Sequence, residues 1–391
     1  MSRQPLCTAI VCLSILGLAR AQTFDDLSMI RNRPSPYSSV LQLRAGMIGD
    51  FAKKEKPAFG LKDETGWDGS VYYRNDTFLG RPGTTELYAG RDGAFLSLHD
   101  HTLVGNETSS VIELKSRYFS FFREGYYRDG DFVPTGRYEG GDYEAYLGFG
   151  RPIAQDMRME LGPYYRKNRF SRSTDPSIVQ NFTIPEDYTA YGFHVFLEQS
   201  TVQLDRRLGT PTQGFLLTVV ADQEWNDSSG PIGQTGVFET ELPSSIWRLR
   251  GRLEWYLPQS DSSVWEVFAT GAYSDEKDRI VNYEAQHPQG NAWADVQLRY
   301  RIMLGDSVTL TPFATGQFTR ILDELGTSSD KEFFLGYGAE TWIHFSESLS
   351  MNAWYSFVDN ESRPSVSVDD DRHGQHMFYA GMVARFGGQR R

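Results

Sequence analysis

From about residue 40 onward, apolar and polar residues change places at every second position in one segment after another. Trp247, Leu249, Gly251, Leu253, Trp255 and Leu257 interleave with Arg248, Arg250, Arg252 and Glu254. Val296, Leu298, Tyr300 and Ile302 interleave with Asp295, Gln297, Arg299 and Arg301, and Leu349, Met351, Ala353, Tyr355 and Phe357 with Ser350, Asn352, Trp354 and Ser356. A side-chain period of two is the signature of a β-strand with two different faces. Applied along the chain it predicts strands at 40–51, 64–75, 83–91, 94–103, 109–122, 142–150, 156–168 and 188–203. After a central turn it predicts eight more, at 214–225, 245–257, 262–275, 294–304, 307–321, 332–345, 348–360 and 376–386. The division of 83–103 at Asp92-Gly93 decides whether the count is even.

The connections add the second half of the pattern. They are short at 258–261, 305–306 and 346–347, and long at 226–244, 276–293, 322–331 and 361–375. A soluble sandwich also alternates, but its apolar face meets another sheet. Short turns opposite long loops are instead the arrangement of a membrane barrel with a polar lumen and a lipid-facing apolar exterior. The fold expected is therefore all-β, a transmembrane antiparallel β-barrel of about 16 strands.

Composition agrees. Aromatic residues make up 14% of the chain, including 21 Tyr and 8 Trp, while the mean hydropathy is only −0.47. Interfacial aromatic girdles and a polar interior explain that combination. Past the N-terminus the apolar runs are too short for a transmembrane helix. At the N-terminus, Arg3, an apolar stretch from Leu6 to Leu18, and Ala19-Arg20-Ala21 form the three regions of a cleavable secretory signal over residues 1–21. The mature chain would begin at Gln22, with 22–39 a periplasmic lead-in and 40–391 the barrel. Both cysteines, Cys7 and Cys12, fall inside the signal. Without Arg3 and Arg20 the balance of 39 basic against 51 acidic residues becomes 37 against 51, a net charge of −14. That balance speaks against nucleic acid as a partner and leaves outer-membrane lipid as the expected surroundings.

Candidate chemistry is sparse. Arg248, Arg250, Arg252, Arg299 and Arg301 on inward positions make a basic patch. Glu254, Glu266, Asp295 and Glu340 are the acidic groups positioned to pair with it; left unpaired, the patch would attract anions. His99-Asp100-His101 is too short a set for a metal site and reads as a solvated turn. No G-x-S-x-G or other nucleophile context occurs, so neither an enzyme nor a cofactor is expected.

The last strand, H-M-F-Y-A-G-M-V-A-R-F, carries Tyr379, Gly381, Ala384 and Phe386 at a spacing that resembles the C-terminal signal read by the barrel assembly machinery, although five residues follow Phe386. The central turn, D-R-R-L-G-T-P-T-Q-G, matches a D-R-x-x-x-x-P-T-x-G motif at Asp205, Arg206, Pro211, Thr212 and Gly214. Tyr72-Tyr73-Arg74-Asn75 followed by Phe78-Leu79-Gly80-Arg81-Pro82-Gly83 looks like a looser version of a second motif. Together these make the chain resemble the barrel domain of the BamA/TamA family of outer-membrane assembly and translocation proteins, over about residues 40–386. The resemblance implies sixteen strands with the central motif as a structural clamp on a periplasmic turn.

Two departures stand out. The 18 residues before the barrel are too few for a POTRA module, so a periplasmic partner protein is the candidate to stand in for one. No R-G-F triplet lies between Ser274 and Trp293, where the family carries it. The family's weak seam would here join 41–51 to 376–386, softened by Gly46, Gly49 and Gly381, although the missing elements favour ordinary closure. Three functions fit: an assembly or translocation barrel, a passive or anion-preferring pore, and a structural or receptor barrel.

Overall fold

The computed structural model describes residues 29–30, 35, 37–52, 64–78, 81–90, 93–100, 108–117, 126–128, 131–133, 138–172, 182–184, 186–205, 209–227, 230–234, 238–241, 243–275, 290–322, 329–359 and 375–389. The predicted strands are all present. They are β1 (Tyr37–Ala52), β2 (Glu64–Phe78), β3 (Arg81–Gly90), β4 (Gly93–Asp100), β5 (Ser109–Arg117), β6 (Tyr138–Ala154), β7 (Met157–Arg172) and β8 (Tyr188–Ser200) in the first half. The second half holds β9 (Pro211–Asn226), β10 (Ser245–Ser260), β11 (Ser263–Ser274), β12 (Gly290–Leu304), β13 (Val308–Leu322), β14 (Ser329–His344), β15 (Leu349–Val358) and β16 (Gln375–Gln389). Each pairs antiparallel with its sequence neighbour, and β1 pairs with β16, which closes the sheet into a barrel.

Asp92-Gly93 does divide two strands. Gly90 faces Gly93 across a tight reversal, which makes the strand count even and puts the start of β1 and the end of β16 at one end. Connections at that end are short after β6, β10, β12 and β14, and the long ones lie opposite. Among the described residues, three of the long connections contribute paired segments of their own: Tyr126–Arg128 pairs with Asp131–Val133 in one, and Phe182–Thr183 of a second pairs with Pro231–Gln234 of a third, which pairs in turn with Phe238–Glu241. The prediction falls short at strand ends. β16 continues past Phe386 to Gln389 because Gly387 and Gly388 pair with Val40 and Ser39, so partner demand overrides the weak strand preference of glycine. The same pairing brings β1 forward to Tyr37.

The molecule is built inside out. Arg299 is 2% exposed whereas its neighbour Leu298 is 49% exposed, and the alternation repeats on β8 and β10. Buried positions carry the charges and exposed positions carry Leu, Val, Phe and Trp, which is stable only where the exterior meets hydrocarbon. Among the described residues no helix is long and apolar enough to cross a membrane.

Depth within that band sets the expected cost of a charge. Leu298→Arg, near mid-strand on the outer face, should lower unfolding free energy in liposomes by about 2–4 kcal/mol, and Leu304→Arg, at the end of β12, by about 0–1. Denaturant titration of the two variants measures both, and equal losses would contradict the assigned band.

Candidate functional site

The lumen is where the unusual chemistry lies, because strands from all round the barrel turn charged residues toward one another there. Two networks and one turn organise it. The first centres on Arg299. Its Nε donates to Glu266 Oε2 at 3.0 Å, and a second guanidinium nitrogen donates to Glu340. Glu340 also accepts from Trp342 Nε1 at 2.8 Å and Asn352 Nδ2 at 2.9 Å. The rings of Phe268 and Phe313 lie 5.1 and 5.4 Å from the guanidinium carbon, giving the buried cation a π-face as well as carboxylates. Arg301 pairs with the other Glu266 oxygen at 3.1 Å. Separately, Arg252 binds Glu254, whose second oxygen accepts from Tyr256 at 2.6 Å. Asp295 accepts from Thr315 at 2.9 Å and Gln317 at 3.3 Å.

The second network lies between β5 and β10. Glu224 accepts from Tyr164 at 2.7 Å, from Arg166, and from both terminal nitrogens of Arg248 at 3.1 and 3.2 Å. Asp222 holds Arg250 at 3.1 Å and His194 Nδ1 at 2.5 Å. The opposite nitrogen of His194 faces Glu144 at 3.3 Å, so the ring stands between two carboxylates. Tyr164 stacks on that ring at 4.0 Å, and Lys115 joins Glu144 to Glu113. All five inward arginines read from the sequence therefore sit against acidic partners. Sequence reasoning missed Glu144, His194, Asp222 and Glu224. Their inward positions on alternating strands were the available signal, but strand-by-strand reading does not reveal which strands meet.

The second network borders an apolar seat. Met29, from the segment ahead of β1, is buried with lumen-facing Val111, Tyr146, Tyr164, Phe196 and Val220, and Ile30 beside it is buried too. Met29 thus lies among side chains of the barrel interior.

At the end where β1 begins, backbone bonds hold the described residues of the central turn. Asp205 N donates to the Thr210 carbonyl and Gly209 N to the Asp205 carbonyl, each at 2.8 Å. Arg206, the expected partner of Asp205 in a charge clamp, lies outside the described residues. Pro211, expected within the turn, instead opens β9, where a missing N–H is tolerated. Its carbonyl accepts from Arg301, which ties the turn to the Glu266 network. Thr212 Oγ1 donates to the Gln203 carbonyl at 3.2 Å. Gly214 has φ +95°, and a Cβ there would stand 2.2 Å from the Thr201 carbonyl oxygen, so both conformation and space demand glycine.

The C-terminal signal residues divide between faces: Tyr379 and Gly381 point inward, Ala384 and Phe386 outward. His99 is buried on β4 with Nε2 2.7 Å from Arg158, and Asp100 is buried as well, so the expected solvated turn is corrected for these two. His101 lies outside the described residues.

With sixteen strands, a lumen of paired charges and the central turn in place, comparison with solved structures is informative. CdiB from Acinetobacter baumannii superposes with a TM-score of 0.55 at 10% identity, covering 89% of this chain and 60% of that one. BamA from Haemophilus ducreyi lacking POTRA domains 1–3 gives 0.51 at 12% identity over 90% of this chain and 70% of that one. CdiB from Escherichia coli gives 0.50 at 12% identity, over 91% and 64%. The fold is that of the BamA-like outer-membrane barrels. No protein-family model and no curated protein matches the sequence. The chain spans about three fifths of the length of the Acinetobacter CdiB.

Two outcomes follow from the geometry. Arg299→Met leaves the buried Glu340 with only the neutral Trp342 and Asn352, and Glu266 with Arg301, and should destabilise the barrel by about 3–5 kcal/mol. Adding Glu340→Gln should recover part of that loss in the same denaturant titration, since one stranded charge is removed. Gly214→Val should sharply reduce the yield of the heat-modifiable folded band on gels, and a normal yield would mean the +95° conformation is not required.

Proposed function

We propose that the chain is a translocation barrel of the BamA/TamA type, exported by its N-terminal signal to the bacterial outer membrane and closed at rest by its own lead-in. The observation that carries this reading is the burial of Met29 among lumen side chains, with its neighbour Ile30 buried as well. An ordinary pore has no use for an apolar residue seated among Tyr146, Tyr164 and Phe196 in an otherwise charged lumen. With its arginines matched by carboxylates, the wall selects weakly by charge. An extended polypeptide fits such a path once the lead-in withdraws. Barrel assembly machinery would read the last strand during biogenesis, and a periplasmic partner would deliver the client. No catalytic role is proposed.

The second reading, an anion-preferring pore, has one observation in its favour. Arg250 is paired with Asp222 yet keeps 30% of its side chain exposed, so it remains available to a passing anion.

Planar-bilayer recording separates the two. The wild-type barrel should stay mostly closed, and replacing Met29 and Ile30 by Asp, which removes the apolar contact and adds charge beside Glu144 and Glu224, should give steady conductance. Equal conductance before and after that change would defeat the plugged reading. A wild-type conductance that prefers anions and loses the preference with Arg250→Glu would establish the second.

A further inference from the structure

The β1–β16 seam shows the ordinary closure that the sequence favours, and Gly46, Gly49 and Gly381 are covered by aromatic rings. Pairing runs without a break from Ser39↔Gly388 to Ala52↔Gln375, with an irregularity only between Tyr37 and Ser39. Gly46 and Gly381 face each other directly across that seam. The ring of Tyr379 lies across both. A Cβ on Gly46 would stand 2.5 Å from the Tyr379 hydroxyl, and one on Gly381 2.0 Å from it, so the slot exists only because both residues lack a side chain. Tyr379 is 1% exposed.

Arg44 of β1 then fastens the ring from above. Its Nε donates to the Tyr379 hydroxyl at 2.8 Å, its guanidinium carbon lies 4.1 Å from the ring centroid, and it also pairs with Asp68 of β2 at 3.1 Å. Trp354 of β15 stacks on the far side at 6.2 Å. On the outer face Phe378 covers Gly49 in the same manner, its Cε1 2.1 Å from where a Cβ would be. Aromatic cover of strand glycines restores the packing that glycine alone forfeits. Four consecutive strands of the closed barrel, β15, β16, β1 and β2, meet in this one assembly.

We infer that Tyr379, seated in the Gly46–Gly381 slot and capped by Arg44, makes the seam a permanent joint, leaving no edge for a client strand to join, so that anything crossing this barrel passes along the lumen. A strand-adding edge needs unpaired backbone groups. Here the described backbone of β1 is occupied along its length. The joint stands whether or not the lumen conducts, because amide exchange reads the seam alone.

Hydrogen–deuterium exchange of the full protein in detergent micelles tests it. Peptides spanning 41–48 and 379–385 should be as protected as those spanning 296–301 in β12. Tyr379→Ala should speed exchange at the seam by about tenfold while leaving β12 unchanged, the expected effect of losing one charge-assisted hydrogen bond and a cation–π contact. Tyr379→Phe keeps the ring in its slot and loses only the Arg44 bond, so it should fall between, and it serves if the alanine variant does not assemble. A wild-type seam exchanging about tenfold or more faster than β12 would overturn the joint, as would a Tyr379→Phe variant with unaltered seam protection.

Discussion

Backbone hydrogen bonding is the constraint on which this structure depends. In hydrocarbon an unpaired N–H or C=O costs several kcal/mol, so a sheet that spans a membrane must return to its first strand. Sixteen strands do so here, and the closing contact is built from residues at opposite ends of the chain. Closure requires close approach of β1 and β16, which a pair of opposed glycines permits. The same absence of side chains leaves a slot, and Tyr379 fills it. What would be a weak point in an isolated strand becomes, in the closed barrel, the place where four strands are tied together.

Closure creates an interior, and the interior then has to be neutralised. Period-two alternation sends every second residue inward, and here many of those residues are charged. An isolated charge buried in such a place is costly, whereas a pair with further hydrogen bonds is tolerated. Arg299 shows the solution in full, with two carboxylates, two aromatic faces, and second partners for Glu340 in Trp342 and Asn352. His194 shows it again between Asp222 and Glu144. Pairing on this scale stiffens the wall from within and leaves the lumen polar without a strong net field. Arg301 extends the first network to the carbonyl of Pro211, so the central turn is anchored to strands three places away.

Against that charged lining the seat of Met29 stands out chemically. Tyr164 belongs to both, donating to Glu224, stacking on His194 and packing against the methionine. Met29 and the charge network thus share one ring. Withdrawal of the lead-in would uncover an apolar patch in the middle of a polar path, which gives an entering chain with a large apolar side chain somewhere to settle. The seam, by contrast, offers no such opening.

Sequence alone determined the strands, their faces and their number, because alternation is a local property that each segment states for itself. The reversal at Gly90 and Gly93 and the need for glycine at position 214 were legible for the same reason, since turn chemistry is read over a few residues. It did not determine which charges meet. Arg299 and Glu340 are 41 residues apart, Arg44 and Tyr379 are 335 apart, and only the order and register of strands in the closed barrel bring them together. It also did not show what packs on Gly46 and Gly381, whose effect depends on a ring seated across the seam. Nor did it anticipate Met29, because a segment with no alternation of its own has its place decided by the cavity that sixteen strands enclose.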